Sequence, residues 1–171
     1  MPAPEQDPIG TGDGAIGPDA FRRAMSRMPT GVTVVTAFGT AGPSGLTANA
    51  VVSLSLDPPL MRACLDRGSR TLRAVEQAGA FGVNVLGADQ AAVARSFATK
   101  VEMHEKWEGI PWSERDGLPA LDGAVVWVAC ELRDVLAGGD HVIVTGAVLD
   151  ATAREGEPLM FYGGGYRGLS T

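Results

Sequence analysis

Three consecutive residues, Ser69-Arg70-Thr71, have the composition of a phosphate-binding turn. They follow a predicted strand and open a predicted helix, so free backbone amides, two hydroxyls and a guanidinium would converge there. The alternative is that Ser69 only caps the helix while the neighbouring arginines face solvent. Spacing alone does not separate these interpretations. Arg67, Arg70 and Arg73 are the one basic cluster in the sequence, which favours a small anionic group over a nucleic acid.

A second candidate region is the small, polar stretch Thr47-Ala48-Asn49-Ala50, which continues through Ser53 and Ser55. At the period of a strand, both serine hydroxyls would point to one face. Small polar side chains leave room for a flat ligand, whose edge Asn49 and the backbone could hydrogen-bond. The alternative is a solvated edge strand.

The remaining glycine, cysteine and histidine patterns give little support to a catalytic or metal-binding site. Gly163–Gly168 matches G-x-G-x-x-G formally, but that motif opens a βαβ unit and only three residues follow it. Cys64 and His141 could form a thiol–base pair, although nothing marks Cys64 as activated in its apolar strand. We interpret Cys64 and Cys130 as buried free thiols of a reducing compartment; a disulfide is possible but not indicated. No structural zinc is predicted, because neither histidine has a Cys or His at ligand spacing.

The composition is that of a globular protein of 171 residues with a net charge of −6, 45% hydrophobic and 20% charged residues. The negative charge argues against general nucleic-acid binding. No signal peptide and no apolar run long enough to span a membrane is recognised, so we expect a soluble cytoplasmic protein. The 23 glycines and 11 prolines indicate many tight turns.

Hydrophobic periodicity predicts a mainly β domain. Residues 1–17 are rich in Pro, Gly and Asp and are interpreted as a disordered tail before a domain of residues 18–171. The predicted strands cover residues 31–38, 46–56, 60–65, 81–86, 124–135, 141–150 and 159–162. The predicted helices cover residues 20–28, capped by Asp19, 69–77 and 89–97, with an extended loop over residues 99–119. Tight turns between most strands favour an antiparallel barrel whose ends are covered by helices.

Several short motifs occur in a recognisable order along the chain. In the first half they are Phe21-Arg22-Arg23-Ala24, residues 29–36, Gly45-Leu46-Thr47-Ala48-Asn49 and residues 53–59. In the second half they are Ser69-Arg70-Thr71-Leu72, residues 81–86, Gly109-Ile110-Pro111-Trp112, Gly139-Asp140-His141 and Tyr166-Arg167. Taken together, from about Phe21 to Leu169, these motifs resemble the short-chain flavin reductases of two-component monooxygenase systems.

The resemblance implies an FMN-binding, antiparallel split β-barrel, a homodimer, and reduction of FMN or FAD by NADH or NADPH, with reduced flavin passed to a separate monooxygenase. It implies that His141 stands by the nicotinamide as the catalytic candidate. The residues it implies for cofactor binding are Thr47, Ala48, Asn49, Ala50, Ser53, Ser55, Cys64, Leu65, Ser69, Arg70, Ala94, Arg95, His141, Tyr166 and Arg167.

The sequence departs from the family pattern in three places. Ala50 stands where the family often has Ser, and Arg62 lies in a strand that is usually apolar. Residues 100–106 match no family pattern. Arg62 and Arg167 are possible contacts for a 2′-phosphate, and the choices between FMN and FAD and between NADH and NADPH stay open. The alternative function is a split-barrel flavoprotein that retains its flavin as an oxidase or oxygenase, or a flavin or haem carrier.

Overall fold

The computed structural model describes residues 16–169; residues 1–15 of the predicted tail lie outside the described residues. Most of the described chain is β-structure, as predicted. The helices are α1 Pro18–Met25, α2 Arg70–Ala78, α3 Ala91–Ala98 and α4 Met103–Trp107. The strands are β1 Thr30–Gly31, β2 Thr33–Gly39, β3 Gly42–Ala48, β4 Val51–Leu56, β5 Pro59–Asp66, β6 Ala80–Val85, β7 Trp112–Arg115, β8 Leu118–Leu121, β9 Val126–Gly138, β10 His141–Ala153, β11 Met160–Tyr162 and β12 Gly165–Arg167. No helix within residues 16–169 is long and apolar enough to cross a membrane.

Seven strands form the main sheet, in the order β3-β2-β6-β9-β10-β5-β4, and every ladder in it is antiparallel. A three-stranded sheet of β1, β11 and β12 and the hairpin β7–β8 accompany it. The tight turns read from the sequence therefore do join antiparallel neighbours. The longest hairpin, β9–β10, turns at Gly139, whose φ of 77° lies in the left-handed region that favours glycine.

The two edge strands of this sheet, β3 and β4, are consecutive in the chain. The prediction of one strand over residues 46–56 is wrong, because the chain leaves the ladder at Asn49 and Ala50 and re-enters it at the opposite edge. Two residues can bridge only about 10 Å, so the sheet must curl until its edges approach. The Cys64 amide, on β5, donates a 2.9 Å hydrogen bond to the Ala50 carbonyl, which extends the β4–β5 ladder by one residue into the connection, and the strands β3 and β5 are in contact.

The predicted loop over residues 99–119 is also wrong. It contains the short helix α4 and the hairpin β7–β8. Aromatic side chains hold this segment against the sheet in a continuous row, with ring-centroid distances of 6.1 Å for Phe38–Trp112, 5.4 Å for Trp112–Trp107 and 4.8 Å for Trp107–Phe97. All three contacts are edge-to-face, which is the arrangement that the charge distribution of aromatic rings favours.

The first helix differs from its prediction in boundaries. It begins at Pro18 after Gly17, and Asp19 lies in the first turn, paired with Arg22 at 2.8 Å. Phe21, Met25 and Met28, which recur at helical spacing and form its apolar face, are 54%, 44% and 57% exposed. The apolar side of α1 thus has no partner within the described chain.

The core lies on both sides of β2 and β6. One cluster packs α2 through Leu72 and Val75 against the sheet, and the other packs α3 through Ala94 and Phe97. Asn84 of β6, fully buried, ties the layers together, because its Oδ1 accepts the Leu121 amide at 2.7 Å and its Nδ2 donates to the Val34 carbonyl at 3.1 Å. Both ends of the amide are thus satisfied in the core.

Gly45 sets the distance between β3 and α3. A β-carbon added there would lie 2.5 Å from Cε1 of Phe97, well inside contact distance. We expect Gly45→Ala to lower the free energy of unfolding by about 1–3 kcal/mol through overpacking, measured by urea denaturation. Gly31→Ala is the control, because nothing lies within 4 Å of an added β-carbon there. Equal stability of the two variants would contradict this packing.

Candidate functional site

The start of α2 is built as the sequence predicted, and its polar groups are already engaged. Ser69 is the N-cap, and its Oγ accepts the Leu72 amide at 2.9 Å. The half-exposed Arg70 donates from Nη1 to Oε2 of Glu102 at 2.8 Å and from Nη2 to the Val101 carbonyl. The Thr71 hydroxyl hydrogen-bonds Ser44 at 3.0 Å. Capping by Ser69 is therefore confirmed, while the guanidinium of Arg70 points to the 99–103 segment.

A cleft of about 600 Å³ opens beside this turn. Its floor is the edge of β3 and the end of β5, and its far wall is the segment from α3 to α4. The residues that define it include Leu46, Asp66, Ser69, Arg70, Lys100 and Lys106. A second cavity of about 410 Å³ shares Arg70 and continues along α2 to Arg73 and Gln77. Arg70 thus stands between two concave surfaces.

The end of β3 carries the next candidate residues. The Thr47 hydroxyl donates to the Ala94 carbonyl of α3 at 2.7 Å, so it fixes α3 rather than pointing outward. Ala48 is buried, and Ala50 is exposed. The half-buried Asn49 forms no side-chain hydrogen bond with any residue in 16–169, which leaves its amide available to a ligand.

The predicted common face of Ser53 and Ser55 is wrong. The β4–β5 register shifts between them, so that Ser53 lies opposite Met61 and Ser55 lies opposite Leu60. Because Leu60 and Met61 point to opposite faces of β5, the two serines do so as well. Ser53 is exposed and Ser55 is half-buried.

Register places Cys64 and His141 on one face. Cys64 lies opposite Ile143 and Asp66 lies opposite His141, whereas Leu65, opposite Val142, points into the core. The Asp66 carbonyl accepts the Ser69 amide at 3.0 Å, which connects this face to the start of α2. His141 Nδ1 lies 2.8 Å from Oδ1 of Asp140. Hydrogen bonding and charge from His141 lower the pKa of Asp140, so the carboxylate stays ionised and leaves the Nε2 edge of the ring for other contacts.

The structure gives Cys130 no nucleophilic role. Both cysteines are free, as predicted, but only Cys130 is fully buried, whereas Cys64 is half-buried. Burial raises the pKa of Cys130 to about 12, which keeps it a neutral thiol. Within residues 16–169 no group of three or more His, Cys, Asp or Glu side chains could hold a metal ion.

A second set of candidates gathers on the other side of α3. The guanidinium of Arg95 lies over the Tyr166 ring, 5.4 Å from its centroid, in a cation–π contact. Tyr166 packs edge-to-face on Phe161 at 5.5 Å. Arg167 is exposed, and its guanidinium returns to the Tyr166 carbonyl at 3.0 Å. Ala94 is fully buried, and its carbonyl accepts the hydrogen bond from the Thr47 hydroxyl.

The structure thus joins the candidates in two groups. The first group runs from the β3–β4 connection through β5 and β10 to the start of α2, and it contains Asn49, Ala50, Cys64, His141, Ser69 and Arg70. Thr47, Ala94, Arg95, Tyr166 and Arg167 form the α3 group. Ser53 has no described contact with either group, and the exposed Arg62 lies opposite Val52 and Thr145.

Sequence reasoning missed the residues of the 99–107 segment. Glu102 pairs with Arg70, and Sδ of Met103 accepts the Gly45 amide at 3.4 Å. Lys106 is 4% exposed and lines the cleft. The available signal was the spacing of Met103 and Trp107, which are four residues apart as on one face of a helix.

Comparison with known proteins identifies the family of this chain. The model of the flavin reductase like domain matches residues 25–170. A flavin reductase of Pseudomonas putida is 40% identical over 159 residues, covering 91% of this chain and 92% of that protein. The crystal structure of nitrilotriacetate monooxygenase component B from Mycobacterium thermoresistibile superposes with a TM-score of 0.84 at 36% identity, over 89% of this chain and 86% of that one.

A third comparison includes ligands. The Streptomyces globisporus NADH:FAD oxidoreductase SgcE6, in complex with NAD and FAD fragments, has a TM-score of 0.82 and 34% identity, covering 91% of this chain and 96% of that one. The chain belongs to the flavin reductase like family, which confirms the resemblance read from its motifs.

Tyr166 offers a test of the α3 group. Burial raises the pKa of its phenol, and the positive charge of Arg95 opposes that rise. Arg95→Met should therefore raise the pKa of Tyr166 further, because the phenolate loses a favourable charge. Ultraviolet titration of the phenolate measures this, with Tyr166→Phe identifying which signal belongs to Tyr166. In the unsubstituted protein, the stability this group contributes is present at neutral pH and is lost as the pH rises beyond the ordinary tyrosine range. An unchanged or lowered pKa in Arg95→Met would contradict the contact.

Proposed function

We propose that this chain is an NAD(P)H-dependent flavin reductase that reduces FMN or FAD and supplies reduced flavin to a separate monooxygenase. The observation that carries the proposal is the cleft beside the start of α2, where a capped helix start, Arg70 and Leu46 of β3 adjoin in a chain of the flavin reductase like family. Its volume of about 600 Å³ lies within the range of nucleotide and cofactor sites.

The residues present suit a flavin mononucleotide moiety. Asn49 keeps an unused amide at the β3–β4 junction, where small side chains on either side leave space for a flat ring. Arg70 presents a guanidinium at the helix start, and a phosphate oxygen there would replace its bond to Glu102. The α3 group, with Arg95 stacked on Tyr166, is linked to the end of β3 by the hydrogen bond between Thr47 and Ala94.

Little acid–base chemistry is required of the protein. Bound flavin and nicotinamide supply the redox chemistry, in which a hydride passes from one ring to the other. Asn49 would orient the ring edge, and His141, held at Nδ1 by Asp140, would present Nε2 towards the nicotinamide. Holding both rings at reacting distance is the main contribution of such a site.

We propose that the curled main sheet forms a split β-barrel. Two facts support this: the edge strands β3 and β4 are joined by two residues, and β3 is in contact with β5, the neighbour of the opposite edge strand. We take residues 18–171 as the flavin-binding domain. The free cysteines and the pyridine-nucleotide donor suit the cytoplasm.

We also propose a homodimer. Apolar side chains are exposed on α1 at Phe21, Met25 and Met28, and on the edge strand β4 at Val52, Leu54 and Leu56. An exposed apolar edge strand invites pairing with another chain unless it is covered. A second copy of the same surfaces would cover both.

The function is tested by mixing the protein anaerobically with NADH or NADPH and excess free FMN or FAD. We expect many equivalents of flavin to be reduced per protomer, followed by the absorbance of the nicotinamide and of the flavin. A protein that binds flavin tightly and consumes no NAD(P)H would contradict the proposal and favour a flavoprotein that retains its flavin.

The placement of the ring is tested with Asn49→Ala. Loss of the amide should weaken flavin binding about tenfold, or about 1.4 kcal/mol, in a fluorescence titration of oxidised flavin. Ser113→Ala is the control, because Ser113 is exposed on the β7–β8 hairpin and lines neither cavity at Arg70. If Asn49→Ala binds as tightly as the control, the ring lies elsewhere.

A further inference from the structure

Lys106 of α4 is a buried cation, and the contacts proposed above for the flavin give it no role. Its side chain is 4% exposed, and Nζ donates one hydrogen bond, to the Phe97 carbonyl at 3.2 Å. No carboxylate among residues 16–169 pairs with it. Removing an ammonium from water without a counter-ion is unfavourable, so the chain retains Lys106 against its own stability.

The surroundings of Lys106 identify what would offset this. Lys106 lines the 600 Å³ cleft together with Ser69, Arg70 and Lys100. Burial and the nearby positive charge of Arg70 both lower the pKa of Lys106, which means that the two cations repel each other across the cleft. Two acidic residues line the cleft beside them: Glu102, whose exposed carboxylate binds Arg70, and Asp66, whose Oδ1 accepts the Gly68 amide at 2.7 Å.

An anion between Lys106 and Arg70 would relieve this repulsion and supply the missing counter-ion. It would accept hydrogen bonds from the two remaining Nζ protons and from the guanidinium of Arg70, and charge-assisted bonds of this kind are the strong ones. The first turn of α2, capped by Ser69, adds the positive end of a helix of nine residues.

We propose that Lys106 is a second cationic contact for the phosphate of the flavin mononucleotide moiety, acting with Arg70. This inference rests on the proposed function. The 2′-phosphate of NADPH carries the same chemistry, so the test has a separate arm for it. The alternative is a purely structural role, in which Lys106 packs its alkyl chain and donates a hydrogen bond to the Phe97 carbonyl.

The test compares FMN with riboflavin, which lacks the phosphate. Lys106→Met keeps the length and apolar stem of the side chain and removes its charge, whereas Lys106→Arg keeps the charge. We expect Lys106→Met to weaken FMN binding tenfold or more and riboflavin binding less than twofold, and Lys106→Arg to retain most of the FMN affinity. Arg133→Met changes the net charge equally at an exposed position of β9 that lines neither cavity at Arg70, and it should alter the affinity for FMN less than threefold because solvent screens it.

Stability supplies a readout that a packing role would not give. Without ligand, Lys106→Met should melt at the same temperature as the unsubstituted protein or higher, because a buried unpaired charge is gone. Inorganic phosphate, compared with chloride at equal ionic strength, should raise the melting temperature of the unsubstituted protein and not that of Lys106→Met.

Several outcomes would overturn the inference: FMN and riboflavin weakened equally by Lys106→Met, neither weakened, or a lower melting temperature with an unchanged ratio of the two affinities. A change confined to the KM for NADPH relative to NADH would assign Lys106 to the nicotinamide nucleotide instead. Binding and melting require no turnover, so a protein that fails to oxidise NAD(P)H but shows the phosphate-dependent differences would refute the proposed function and leave this inference standing.

Discussion

The short connection between the two edges of the main sheet is the constraint on which the rest of the structure depends. Asn49 and Ala50 span from one edge strand to the other, so the seven strands cannot lie open. Curling brings β3 into contact with β5, which carries Cys64 and leads into the start of α2. Residues far apart in the ladder thus meet at one place, and the candidate site lies where the sheet turns back on itself.

The sequence predicted the elements whose signals are local. β2 is β-branched, the β9–β10 hairpin has its Gly-Gly-Asp turn, and Ser69 caps α2. It did not predict the break at Asn49, because small polar residues continue the period of a strand while the chain changes edges. Nor did it predict α4, which is only five residues long and is held by the contacts of Trp107 with Phe97 and Trp112. Those contacts exist only after folding.

The same distinction applies to the site. Ser69, Arg70 and Asn49 could be found from residue type and position, whereas the bulge that separates Ser53 from Ser55 is a property of pairing with β5. Glu102 and Lys106 lie at the cleft only because of tertiary packing, and no local sequence signal predicts them there. Ala50, the residue that departs from the family pattern, is exposed and contributes its carbonyl to Cys64. Its backbone thus pairs with β5, and this pairing needs no side-chain hydroxyl.

The aromatic row beside the cleft has a spectroscopic consequence. Trp107 and Trp112 stand 5.4 Å apart, and the third tryptophan, Trp127, lies in a different cluster with its indole nitrogen bonded to Asp116. Two indoles this close couple electronically, so the pair on either side of residues 108–111 contributes to the circular dichroism of the molecule in a way that depends on their separation. Any displacement of α4 from the β7–β8 hairpin would change that signal. Circular dichroism can therefore report movement of α4, which forms part of the wall of the cleft, without an added label.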